Sequence, residues 1–156
     1  MSHWQKGKLK VTCSIAVLKR ALINIMPEWE QHIKVDEQGR IPIYTYTGER
    51  MKGAGFHIMI PGKANPNYSV APNIIYNDVG LRQTKDGKWE IQVDRSGIRG
   101  ITNLEGAIGQ EVAHMKARQA ASLKKHQILK DEMEGADKVL VVRAPVTDRF
   151  KTGIRA

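Results

Sequence analysis

The alternation of apolar and polar residues near the start of the chain predicts a strand followed by a helix. Over residues 8–13 apolar side chains alternate with polar ones, which is the period of a half-buried strand. Ser14 is a suitable N-cap for a helix that runs to Met26, because its side-chain oxygen can accept a backbone N–H of the first turn. Pro27 ends the helix. The chain therefore begins with a β-α unit.

The middle of the chain predicts short strands around a long irregular loop. Residues 32–36, 41–47 and 56–60 read as short strands, and Pro42 favours an edge position for the second of them. Residues 61–72 contain three prolines and a glycine, so they cannot form a regular element. A structureless loop of about this length is uncommon in a compact domain and is often functional.

The clearest hairpin signal comes next. Residues 73–83 and 88–94 flank Asp86-Gly87, a pair that favours the positive φ of a tight hairpin turn. Within residues 88–94 the odd-numbered apolar side chains are expected to face the core. The even-numbered polar ones, Asp94 included, are expected to face outward.

The second half predicts one long helix and a closing hairpin. Thr102 and Glu105 have the spacing of a capping box, and the helix they open is expected to reach Lys125. Residues 128–134 and 138–143 then read as a hairpin.

These elements predict an α+β fold in a single domain, with a mostly antiparallel sheet and two helices packed on it. The 156 residues suffice for one domain of ordinary size. We expect that domain to span residues 1–146. Residues 147–156 are expected to form a basic, mobile tail.

Charge is the strongest functional signal in the composition. Lys and Arg total 25 against 16 Asp and Glu, which gives a net charge of +9. No acid occurs in residues 1–27, and residues 40–77 contain only Glu49 as an acid. Segregated positive charge favours a polyanionic partner, with RNA or single-stranded nucleic acid expected here.

The candidate nucleic-acid-binding residues are the cations of the acid-poor stretches together with neighbouring tyrosines. Cations would contact phosphates, and tyrosines would provide stacking platforms for bases. They are Lys6, Lys8, Lys10, Lys19, Arg20, Tyr44, Tyr46, Arg50, Lys52, Lys63, Tyr68, Lys124, Lys125, Arg149, Lys151 and Arg155.

Motifs for catalysis and metal binding do not appear in the sequence. Gly48 and Gly53 have the glycine spacing of a phosphate-binding P-loop, but Ala54 and Gly55 replace its Lys and Ser/Thr. A single cysteine and scattered histidines do not make a zinc cluster. We therefore expect a non-enzymatic protein with no catalytic residue, no metal and no cofactor.

Several stretches of the chain resemble the motifs of a known family and follow one another in the same order as in that family. They are the opening Met1-Ser2-His3-Trp4, the Asp-Val-Gly-Leu and Asp-Gly-Lys-Trp-Glu of residues 78–81 and 86–90, Gln110-Glu111-Val112-Ala113, and residues 139–143. They resemble the conserved hypothetical chloroplast reading frame thirty-five family, an uncharacterised family of plastids, cyanobacteria and other bacteria. Val112 departs from the family pattern, which usually has an aromatic residue there. The resemblance covers roughly residues 1–143 and implies a small α+β domain without an established activity.

Three functions remain open from the sequence. The first is a non-enzymatic protein that binds RNA or single strands through a basic face with limited sequence specificity. The charge would also suit a bacteriophage protein associated with messenger RNA. The expected location is the cytoplasm of a bacterial cell, including a cell infected by a phage.

The second function is a protein-protein adaptor for a larger assembly or ATPase, docking at the strand edge near Pro42 or at a helix face with Gly106 and Gly109. A protein partner or a homo-oligomer would fit this function, whereas a membrane partner is not expected. The third is an enzyme with a site in residues 61–72.

Overall fold

The computed structural model describes residues 4–53, 55–94, 97–123, 127–134 and 137–143. Its five-stranded antiparallel sheet and two helices confirm the predicted α+β class. In chain order the elements are β1 (Trp4–Thr12), α1 (Ile15–Ile25), a 3₁₀ turn (Pro27–Trp29), β2 (Lys34–Val35), β3 (Ile58–Ile60), β4 (Val79–Gln83), β5 (Lys88–Asp94), α2 (Leu104–Leu123), β6 (Gln127–Glu134) and β7 (Asp137–Arg143).

The chain forms two compact units. Residues 1–109 hold the five-stranded sheet, with strand order β1-β5-β4-β3-β2, together with α1 and the start of α2. Residues 110–156 hold the rest of α2 and the β6–β7 pair, which confirms the predicted closing hairpin. The tail predicted for residues 147–156 lies outside the described residues.

The predicted β-α unit at the start of the chain is confirmed. β1 pairs with β5 and occupies one edge of the larger sheet, while β2 occupies the other edge. Ser14 Oγ accepts the backbone N–H of Val17 at 3.2 Å and caps α1. Leu18 and Leu22 on the apolar stripe of α1 are fully buried.

The β4–β5 hairpin forms around the predicted turn. Gly87 has a φ of 84°, a conformation that glycine adopts at little cost. Trp89, Ile91 and Val93 are buried as predicted. The Trp89 indole N–H donates to the carbonyl oxygen of Cys13 at 3.0 Å, which fixes the residue before the α1 cap against the hairpin.

A cluster of apolar side chains covers part of the sheet face that Met59 and Gly80 share. It consists of buried Ile43, Phe56 and Met59, with Ile41 and Met51 packed against it. A Cβ on Gly80 would lie 2.7 Å from the Phe56 ring, so the missing side chain makes room for this ring on β4.

The strand predicted for residues 41–47 is wrong. The segment forms only isolated bridges, Ile41 to Phe56 and Tyr44 to Arg50, and the chain reverses at Gly48, which has a φ of 85°. Pro42 therefore does not lie on a strand, and protein docking near it stays a prediction.

Three further predictions about strands need correction. The strand predicted for residues 73–83 begins only at Val79, because Asn73 has a φ of 67° and interrupts extended structure. Asp94 does not face solvent. It is only 2% exposed, and Asn77 Nδ2 donates to its carboxylate at 3.3 Å. β2 and β3 are shorter than the predicted strands 32–36 and 56–60.

The cap of α2 differs from the predicted one. Asn103 Oδ1, and not Thr102, accepts the N–H of Gly106 at 3.1 Å, so Asn103 begins the helix. A Cβ on Gly106 would meet the Asn103 side chain at 2.7 Å, so the cap already occupies this part of the expected two-glycine face. Within the described residues α2 ends at Leu123, two residues before the expected end.

Among the helices described, none combines the length and the apolar character that crossing a membrane requires.

Candidate nucleic-acid interface

Three of the predicted cations, Lys6, Lys8 and Lys10, lie exposed along β1; we call them the lysine row. Lys6 Nζ lies 3.2 Å from Glu90 Oε2, and Arg82 Nη2 lies 3.5 Å from the same oxygen. The hydrogen bond from Lys6 holds the pKa of Glu90 below its ordinary value. The charge of Lys6 is therefore partly compensated on the sheet itself.

The other predicted cations whose side chains are described lie in the first unit. Lys19 is half-buried and Arg20 is exposed, both on α1. Arg50 and Lys52 are exposed in the segment that turns back at Gly48. Lys124, Lys125, Arg149, Lys151 and Arg155 lie outside the residues whose side chains are described.

Two exposed tyrosines from distant parts of the sequence form a ring pair. Tyr46 is 52% exposed and Tyr76 is 40% exposed, which is unusual for side chains with this much apolar area. Their ring centroids lie 6.5 Å apart with the planes at 68°, an edge-to-face geometry. The pair therefore presents aromatic surface to solvent.

Cations border these tyrosines. The backbone N–H of Lys63, an exposed residue, donates to the carbonyl oxygen of Tyr76 at 3.0 Å, which places the backbone of this lysine next to that of Tyr76. Lys34 Nζ lies 4.5 Å from the ring centroid of Tyr68, itself 45% exposed. His32 connects Lys63 with the Lys34–Tyr68 pair, because it lines one pocket with Lys63 and a second pocket with Lys34 and Tyr68. We call Tyr46, Tyr68, Tyr76, Lys34 and Lys63 the tyrosine surface.

The lysine row and Lys34 of the tyrosine surface lie at opposite edges of the sheet. Lys34 is on β2, whereas the lysine row is on β1 at the other edge. Neighbouring strands are about 4.8 Å apart, so four steps separate the two edges by roughly 19 Å. The structure thus brings together Tyr46, Lys63 and Tyr68 of the predicted residues but leaves the lysine row apart.

A buried carboxylate holds the loops that carry the tyrosine surface. Asp78 is 1% exposed, and its carboxylate accepts the N–H of Gly62 at 2.6 Å, the N–H of Tyr44 at 2.8 Å and Asn65 Nδ2 at 2.9 Å. Burial raises the pKa of Asp78, while these three donors oppose the rise. One side chain thus fixes both the segment before Tyr46 and the start of the loop 61–72.

The neighbouring residue Asn77 completes this support. It is 3% exposed, and its Oδ1 accepts the backbone N–H of Tyr46. Asn65 Oδ1 in turn accepts the N–H of Tyr68 at 3.1 Å. Buried polar groups that find all their partners impose a single arrangement on the segments they join. The tyrosines are therefore presented on a supported backbone even though they lie in loops.

Gly62 permits the close approach of the two loops. A Cβ at this position would clash with the carbonyl oxygen of Tyr76 and would lie 2.6 Å from the carbonyl carbon of Asn77. Only a residue without a side chain can bring Lys63 this close to Tyr76. Loop 61–72 contains no regular element, as predicted.

Sequence reasoning missed Tyr76 and Lys34. Tyr76 falls in a segment predicted as strand, and Lys34 is a single lysine in a short strand. Each becomes relevant only through a neighbour about 30 positions away, Tyr46 and Tyr68 respectively, as the residue numbers show. Of the remaining aromatic candidates, Tyr44 is half-buried and donates its N–H to Asp78.

The described residues contain no group of three or more His, Cys, Asp and Glu side chains that could hold a metal ion.

Comparison of the chain with protein-family models, with curated proteins and with solved structures finds no match. The resemblance to the chloroplast reading frame family stays a prediction.

Proposed function

We propose that the protein binds single-stranded nucleic acid, with RNA the preferred form, through the tyrosine surface and without catalysing a reaction. The observation that carries the proposal is the exposed Tyr46–Tyr76 ring pair, with the backbone of Lys63 hydrogen-bonded to that of Tyr76. Stacking of a base on an aromatic side chain contributes about 1–3 kcal/mol and accepts any base. Lysines next to such rings neutralise the phosphates between the stacked bases.

The arrangement favours single strands over duplex DNA. Unpaired bases expose faces on which tyrosine can stack, whereas bases inside a duplex do not. Because stacking does not read base edges, sequence specificity is expected to be limited. The lysine row would add to the positive field that attracts the strand.

The proposal includes a location in the bacterial cytoplasm, where RNA is present. An association of a bacteriophage protein with messenger RNA is one form that this function could take. The family resemblance supplies no activity to add.

The test is fluorescence anisotropy with labelled single-stranded RNA, single-stranded DNA and duplex DNA over a salt series. We expect log affinity to fall linearly with log salt, and the single strands to bind more tightly than the duplex. Replacing both Tyr46 and Tyr76 by Ala should weaken binding about 10- to 100-fold, since up to two stacking platforms are lost.

The matched control replaces the same tyrosines by Phe, which keeps the rings and removes only the hydroxyl groups. It should retain the affinity of the wild type. Absence of binding at low salt would refute nucleic-acid binding. Equal binding by the Ala and Phe variants would show that the tyrosine surface is not the interface.

A further inference from the structure

A pocket next to the tyrosine surface has basic walls. It has a volume of about 450 Å³ and is lined by His32, Lys63, Arg99 and residues 70–75. That volume is in the range of small-molecule sites. No Asp or Glu is among the described residues that line it. The adjoining pocket with Lys34 and Tyr68 also has no carboxylate among its described lining residues.

The cations of this pocket are available to a ligand. Arg99 and Lys63 are exposed, and neither forms an ion pair with a carboxylate in the described part of the chain. His32 is half-buried at the border of the two pockets. Arg99 presents several N–H donors in a planar fork, Lys63 adds an ammonium group, and an imidazole can donate one more N–H.

The backbone around the pocket is fixed by hydrogen bonds. The N–H of Arg99 donates to the carbonyl oxygen of Asn73 at 2.9 Å, and the N–H of Ile75 donates to that of Gly97 at 2.7 Å. The buried indole of Trp29 donates to the carbonyl oxygen of Pro72 at 2.7 Å. The pocket therefore exists before a ligand binds, which lowers the entropy that binding costs.

We propose that this pocket binds a phosphate group, with Arg99 and Lys63 as the charged contacts and His32 as a further donor. A planar guanidinium matches a phosphate with two parallel hydrogen bonds. Val70, which is 43% exposed, offers apolar surface to the sugar or base attached to that phosphate.

The phosphate can come from a nucleotide monoester or from the diester backbone of a strand. In the second case the inference rests on the proposed function. The backbone link between Lys63 and Tyr76 would then place the phosphate one step from the stacked bases.

The first test adds inorganic phosphate, adenosine 5′-monophosphate or adenosine as a probe to the whole chain. Two-dimensional amide NMR measures the binding of each probe. We expect the first two to shift the amides of Ala71, of residues 73–75 and of Arg99 in a saturable way, and adenosine to bind at least about 10-fold more weakly than its monophosphate. Shifts that do not saturate, or that centre on the lysine row, would overturn the proposal.

Variants then assign the contact. Arg99→Gln and Lys63→Gln should each weaken binding of the monophosphate about 10-fold, because each removes one charge-assisted contact. Lys85→Gln is the matched control, since Lys85 is exposed in the β4–β5 turn and lines neither pocket. An Arg99 variant that binds like the Lys85 variant would overturn the assignment.

Oligonucleotides of about 10 nucleotides, with and without a 5′-phosphate, distinguish the sources. Tighter binding of the phosphorylated strand, lost in Arg99→Gln, would support a monoester. Equal binding, weakened equally by Arg99→Gln, would support a diester. Binding of both strands without any effect of Arg99→Gln overturns the pocket and leaves the proposed function standing. Binding of the monophosphate without binding of any strand would support the pocket and refute the proposed function.

Discussion

The carboxylate of Asp78 accepts the backbone N–H of Tyr44 at 2.8 Å, across 34 positions of sequence. The same carboxylate accepts the N–H of Gly62, so one buried side chain joins two loops that lie outside the strands. The residue before it, Asn77, accepts the N–H of Tyr46. The position of the tyrosine surface depends on this pair of side chains.

We predict that Asp78→Asn destabilises the fold by about 1–3 kcal/mol. The side chain keeps its size, but an amide nitrogen cannot accept, so at least one of the three buried donors loses its acceptor. Urea unfolding measures the loss, and amide hydrogen exchange at Tyr44 and Gly62 locates it. A variant as stable as the wild type, with unchanged exchange, would show that Asp78 does not hold these loops.

Asp78 and Asp86 should give opposite pH dependences. Burial raises the pKa of Asp78, so the native state binds this proton more tightly than the unfolded chain does. Its contribution to stability is then present at low pH and falls as the pH rises from about 3.8 through the raised value. In Asp86 a hydrogen bond from Thr84 lowers the pKa, so its contribution appears above about 3.8 and is lost as the pH falls.

Unfolding measured in acid for the wild type, Asp78→Asn and Asp86→Asn separates these two contributions. The Asp78 variant should lack the part of the unfolding free energy that falls as the pH rises. The Asp86 variant should lack the part that increases as the pH rises. Identical pH profiles for both variants would contradict the assignment.

His57 should stabilise the fold only while it is neutral. Its Nδ1 accepts the backbone N–H of Gln83 at 3.0 Å, which requires an unprotonated nitrogen. Burial lowers the pKa of His57, so its contribution is complete above the ordinary value of about 6.5 and is lost as the pH falls through the lowered value.

His57→Asn tests this prediction, because an Asn Oδ1 can accept the same N–H without titrating near neutral pH. Its unfolding free energy should vary less with pH below about 6.5 than that of the wild type. NMR titration of the His57 ring in the native protein provides the direct measurement. An apparent pKa above 6.5 would contradict the prediction.

Gly62→Ala should separate the loops that carry Lys63 and Tyr76. The added Cβ would clash with the Tyr76 carbonyl oxygen, and displacing backbone of this kind costs about 1–3 kcal/mol. Thermal unfolding and RNA anisotropy should both show a loss. The control is Gly109→Ala in α2, where a Cβ meets nothing within 4 Å. It should stabilise the helix by up to about 1 kcal/mol and leave binding unchanged.

Local patterns of the sequence determined the β1–α1 unit and the β4–β5 hairpin. The alternation around Leu9, the cap at Ser14 and the turn at Gly87 act between residues close in sequence, and all three form as predicted. The same reasoning failed for residues 41–47. There Asn77 and Asp78, about 30 positions away, accept the N–H groups of Tyr46 and Tyr44 that a strand would have offered to a neighbour.

The sequence by itself determined a basic α+β protein, because its charge and the periods of its helices and strands are properties of composition and of near neighbours. Only the tertiary structure decided which cations stand beside aromatic rings. The backbone N–H of Lys63 reaches the carbonyl oxygen of Tyr76 because Gly62 leaves room and Asp78 holds the N–H of Gly62. The ammonium group of Lys34 lies 4.5 Å from the ring centroid of Tyr68. Contacts of this kind join segments far apart in the chain, and no periodicity along the chain encodes them.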